Sequence, residues 1–176
     1  MNRTIKELAE ICEKNRLTEK LLFVPAHSVG HQVGQWIAKS GRPWVNLRIQ
    51  TTAGFAAEMS FTELTRTGIR FIQSDERLAV VEDLFRTNAY WKSGARYFGK
   101  APDVPGVVKA LSNTIHELRM AGLTPDAIDA SAFLVAEKGR ELTALLKMYE
   151  AVLEEKKLID PAGLLKLAST IAAEID

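Results

Sequence analysis

The segment Leu21-Leu22-Phe23-Val24-Pro25-Ala26-His27-Ser28-Val29-Gly30-His31-Gln32 has the layout of a phosphate-binding turn: a short apolar run, a loop, then an amphipathic stretch. Such a turn needs backbone N–H groups facing an anion, a lysine for the β and γ phosphates, a hydroxyl for magnesium and a helix behind it. Set against G-x-x-x-x-G-K-[ST], Pro25 stands at the first glycine, Gly30 fits the second, His31 replaces the lysine and Gln32 replaces the hydroxyl. Without a permanent cation at His31 the γ-phosphate loses its electrostatic partner, and without a hydroxyl at Gln32 magnesium loses a direct ligand. Pro25, Ala26, His27, Ser28, Val29, Gly30, His31 and Gln32 are therefore a degenerate nucleotide-binding candidate. No resident cofactor is called for, ATP with magnesium is the nucleotide the layout could take, and hydrolysis is not expected. The alternative is a plain strand-to-helix turn.

Other chemistry-bearing residues are sparse. His27 and His31 would share one side if helical, but no Cys or carboxylate completes a set with zinc spacing, so no metal site is expected and both read as loop surface. Ser28 lacks the glycine two residues earlier that a tight nucleophile elbow needs. His116 lies between Ile115 and Glu117 and receives no role. Cys12 has no activating neighbour and reads as a half-buried helix residue. A Glu-x-Lys runs from Glu154 to Lys156, but it lies on a charged helix face with no strand-borne Asp before it, so it reads as solvated surface and not as a nuclease centre. Trp36, Trp44, Trp91, Tyr90, Tyr97 and Phe98 could stack on bases or fill a core. Arg86, Lys92, Arg96 and Lys100 surround the last group, so a nucleic-acid contact is sought there and at Thr51 and Thr52.

The elements that must position these residues follow from periodicity. Ile5, Leu8, Ala9 and Cys12 predict a helix over Thr4 to Asn15, with Thr4 and Glu7 spaced as a capping box. Leu21 to Pro25 predicts a buried strand, and Ala26 to Gly30 a loop. Val33 to Ala38 predicts a helix that Gly41 stops and Pro43 separates from the next element. Trp44 to Gln50 alternates as a second strand, and Thr51 and Thr52 cap a helix to about Ser60. This βαβα order is the start of a parallel α/β sheet, whose ligand edge would lie near Pro25 to Gly30 and Thr51 to Gly54. From Asp75 onward, helical periods centred on Leu78 to Phe85, Val107 to Met120 with an end near Gly122, Leu142 to Leu153 and Leu164 to Ile171 predict a helical array. The expected division is an α/β part at 1–74 and a helical insertion or subdomain at 75–176.

Composition narrows the class. The chain has 176 residues, 47% hydrophobic and 26% charged, in keeping with a soluble globular protein. Its net charge of +1 gives no global field for nucleic acid, so any such contact is a local patch. No apolar run reaches the roughly 18 residues of a membrane span, and no signal-peptide pattern opens the chain, so a cytoplasmic location is expected.

Trp44 to Met59, WVNLRIQTTAGFAAEM, resembles the second strand and motif Ia of superfamily 1 helicases. Pro105 to Pro125 resembles the helical insertion of the B subunits of AddAB and RexAB helicase–nucleases, and Gly139 to Leu167 resembles the end of that insertion in UvrD-like proteins. The resemblance to the N-terminal helicase-like domain of this PD-(D/E)XK helicase–nuclease group implies a P-loop NTPase-like fold and a role in DNA repair and recombination. It implies contact of Thr51 and Thr52 with a single-strand backbone, and an AddA-like motor subunit as partner. Walker B carboxylates, arginine fingers and the nuclease motif have no counterparts, so the chain is expected to be a fragment, inactive alone, of an ATP-dependent helicase or exodeoxyribonuclease subunit. Two other functions fit the residues: a P-loop domain that uses ATP with a partner's help, and a plain α/β interaction module.

Overall fold

The computed structural model describes residues 3–41 and 44–174, and it is mixed α/β and mostly helical. The chain divides into two compact units, Met1–Met59 and Ser60–Asp176.

The first unit runs α1 (Arg3–Lys14), β1 (Lys20–Phe23), α2 (His27–Lys39), β2 (Leu47–Gln50) and the start of α3 (Thr52–Thr67). β1 and β2 pair in parallel, Lys20 opposite Leu47 through Phe23 opposite Gln50. Ile5, Ala9 and Cys12 of α1 and Val33 and Ile37 of α2 meet Leu47 of β2 in one core. Each large apolar side chain fully buried there contributes about 1.5–3 kcal/mol. Cys12 is wholly buried rather than half-buried, because it takes the inward position of its helix face.

Several boundaries differ from the sequence expectation. α1 already contains Thr4, so a cap preceding it lies outside the described residues, and Glu7 is ion-paired to Arg3 at 2.8 Å. β1 is half-buried, not buried: Leu21 and Phe23 point to an exposed face. β2 begins only at Leu47 because Asn46 adopts φ +56°, a left-handed conformation that interrupts an extended run. Gly41, at φ +72°, follows the end of α2 as expected, whereas Pro43 lies outside the described residues. The hydroxyl of Thr51 accepts from the Gly54 N–H at 3.0 Å, capping α3, which continues to Thr67.

The second unit contains the rest of α3, then β3 (Arg70–Phe71), α4 (Ser74–Thr87), α5 (Ala89–Ser93), α6 (Val107–Met120), α7 (Ala136–Glu155), β4 (Leu158–Ile159) and α8 (Pro161–Ala173). The four helical periods recognised in the sequence correspond to α4, α6, α7 and α8. Val81, Leu84 and Phe85 of α4 pack with Leu111 and Ile115 of α6 and with Leu142, Leu145 and Tyr149 of α7. β3 and β4 pair in parallel, so everything from Ile72 to Lys157 is a helical excursion between two neighbouring strands. The described strands thus form two separate two-stranded parallel sheets.

Candidate functional site

The β1–α2 connection is short. Only Val24, Pro25 and Ala26 separate the strand from the helix, and His27, Ser28, Val29 and Gly30 form the first turn of α2. The Val29 and Gly30 N–H groups donate to the Ala26 carbonyl at 3.1 and 3.2 Å, so these two amides are held within the helix. Gly30 is small for a packing reason: a Cβ there would lie 2.8 Å from Cγ2 of Ile49 and 3.4 Å from Cγ2 of Val24. The loop expected over Ala26 to Gly30 is therefore mostly helix, drawn down onto the two strands.

His31 and Gln32 follow on the exposed part of α2. His27 and His31, expected as loop surface, are helical and line one groove of about 480 Å³ with Gly34, Gln35, Ala38 and Trp44. Among the described residues no group of three or more His, Cys, Asp or Glu is placed to hold a metal ion.

Pairing of β1 and β2 extends through the Val24 N–H to the Gln50 carbonyl at 2.9 Å. This brings the start of α2 and the start of α3 to one edge of the sheet, with Pro25, Ala26 and His27 on one strand's exit and Thr51 and Thr52 on the other's. Thr51 is occupied by its cap, while Thr52 is exposed. Behind the edge, Arg48 makes a two-pronged ion pair with Glu58 at 2.8 and 2.6 Å, and Gln50 donates to the same carboxylate at 2.9 Å. The hydrogen bonds from Gln50 and then Arg48 hold the Glu58 carboxyl below its ordinary range.

Arg86, Lys92 and Arg96 belong to the second unit. Arg86 is engaged by Asp83 at 2.7 Å; Lys92 on α5 and Arg96 in the following turn are exposed. The aromatic group splits. Trp91 and Phe98 are core, Tyr90 is half-buried, and Tyr97 is 46% exposed.

Two arrangements in the second unit carried no clear sequence signal. The buried Glu141 carboxylate accepts from three successive backbone N–H groups, those of Arg96, Tyr97 and Phe98, at 2.6, 2.9 and 2.7 Å. On sequence alone Glu141 is one more acid on a helix. The other is Asp160, fully buried at the start of α8. It accepts from Arg119 Nε at 2.8 Å, from the Gly163 N–H at 2.9 Å and from the Tyr149 hydroxyl at 3.4 Å. The Asp160-Pro161 pair is the one sequence cue, an N-cap acid before a first-turn proline. Burial pushes the Asp160 carboxyl up, but the Arg119 hydrogen bonds, the Gly163 N–H and the charges of Arg119 and Arg77 outweigh it and hold the group ionised. Arg119 also pairs with Glu150, and both line a groove of about 550 Å³. So complete a set of partners makes Asp160 a structural joint between α6, α7 and α8 rather than a proton-transfer group.

No protein-family model matches the chain, and no curated protein matches it. No helix among the described residues is long and apolar enough to cross a membrane.

Proposed function

We propose that this chain is a helicase-like scaffold domain that does not hydrolyse ATP and that holds single-stranded DNA, together with a motor subunit, within a DNA repair helicase–nuclease. The observation that carries the reading is the shared edge of β1 and β2. In parallel α/β units ligands bind at the carboxyl ends of the strands, and this edge offers Thr51, Thr52, His27 and Ser28, with the nearby Glu58 carboxylate already taken by Arg48 and Gln50. Hydroxyl and imidazole groups suit a phosphodiester backbone. The helical excursion from Ile72 to Lys157 between paired strands further supports the likeness to a helicase domain with an insertion. His31 and Gln32, where a hydrolysing site has its lysine and its hydroxyl, support the absence of hydrolysis.

A labelled oligothymidylate titrated at low and high salt, alongside thermal unfolding with and without Mg-ATP, tests the proposal. The expected outcome is salt-dependent binding and an unchanged melting temperature with Mg-ATP. Absence of binding at low salt overturns the DNA-holding role. A rise in melting temperature that Gly30→Val abolishes favours an ATP-using domain instead.

A further inference from the structure

The second unit carries a concentration of charge that the whole-chain balance hides. Between Arg86 and Pro102 lie Arg86, Lys92, Arg96 and Lys100, and none of the chain's 22 carboxylates. Lys92, Arg96 and Lys100 are exposed and make no ion pair among the described residues. Tyr97 sits in the same turn, exposed, its ring plane nearly perpendicular to that of the buried Phe98 with centroids 4.8 Å apart. The backbone beneath is held in place: Glu141 takes three consecutive N–H groups, and Gly99 approaches so closely that a Cβ would lie 2.5 Å from the Ala95 carbonyl oxygen. Beside the turn, Arg96 and Arg140 share a polar cleft of about 280 Å³ with Tyr90 and Glu137.

We infer that the turn from Arg96 to Lys100, with Lys92 of α5, is a seat for single-stranded nucleic acid, in which a base stacks on Tyr97 and neighbouring phosphates meet Lys92, Arg96 and Lys100. The exposed charge is of the right sign, Tyr97 is 46% exposed, and the turn is fixed before any ligand arrives, which lowers the ordering cost of binding. This inference rests on the DNA-holding role proposed above and assigns it residues in the second unit.

The test uses the full chain, a labelled oligothymidylate and an abasic strand of equal length. Tyr97→Ala is expected to weaken oligothymidylate binding about 5- to 100-fold, the range for loss of one stacked base. It should leave the abasic strand unaffected, and Tyr97→Trp should restore binding. Replacing Lys92, Arg96 and Lys100 together by Ala should flatten the salt dependence by about 2 in log–log slope, at about 0.7 per lost phosphate contact. Wild-type binding that is indifferent to Tyr97 and to the three cations overturns this inference alone. Absence of any wild-type binding removes the DNA-holding role and the inference with it. Polyglutamate competing as well as DNA, with Tyr97→Ala neutral, would mark the turn as an acidic-peptide surface and overturn the assignment.

Discussion

His116 shows how much a single residue's role depends on surroundings that a sequence does not display. The sequence assigns it no role, yet among the described residues its Nδ1 is buried without a hydrogen-bond partner, and so are Nε and Nη1 of Arg77. Burial, and next the Arg77 charge, lower its pKa from the ordinary 6.5, against weaker opposing fields from Asp160 and Glu117. The folded protein therefore favours neutral imidazole, and the unfolded chain binds the proton more readily. Stability from this group is fully present above the ordinary value and is lost as pH falls through it toward the folded value. The urea midpoint should drop as pH is lowered from about 7 to 5.5, and His116→Gln should flatten that decline. An equal decline in the variant would assign the effect to other groups. Glu141 and Asp160 were equally hard to read, because the amides and arginines that define them lie far away in sequence.

Among the elements, the long amphipathic helices were legible because apolar residues at helical spacing must face a core. Gly41 and Gly122 also marked helix ends, each adopting a left-handed φ, +72° and +73°. β3 and β4 were not legible: two residues each cannot display an alternating pattern, and they are defined only by pairing with one another. The loop expected before Gly30 failed for a related reason, since the glycine that suggested a flexible turn is needed for close packing of α2 on β2. That difference is measurable. Gly30→Ala gains about 1 kcal/mol of helix propensity, but its Cβ meets the β-branched Ile49 at 2.8 Å, and overpacking costs about 1–3 kcal/mol. A net loss of about 1 kcal/mol is expected on balance. Gly34→Ala, whose Cβ would meet only the Trp44 ring at 3.8 Å, should instead stabilise by about 0.5–1 kcal/mol. Chemical denaturation of the two variants decides it, and stabilisation by Gly30→Ala would rule out the close-packing role.

For the whole molecule, the division into two units has thermodynamic content. Among the described residues the first unit's core contains six buried apolar side chains, and the second unit's main core contains fourteen. At about 1.5–3 kcal/mol for each large buried side chain, the smaller core has much less to set against the entropy of ordering its chain, and units near sixty residues are marginal. The net charge of +1 gave no hint of this asymmetry, just as it hid the basic segment from Arg86 to Lys100. Cys12 provides a probe placed in the smaller core, fully buried and the chain's single thiol. In rising urea, pulsed labelling of Cys12 should reach its midpoint before the far-ultraviolet helix signal reaches its own, since most of the helix lies in the second unit. Ile37→Ala, which removes a fully buried α2 side chain, should cost about 2–5 kcal/mol and widen the gap by lowering the Cys12 midpoint alone. Coincident midpoints in both proteins would instead require one cooperative transition, in which the smaller core is stable only with the larger one.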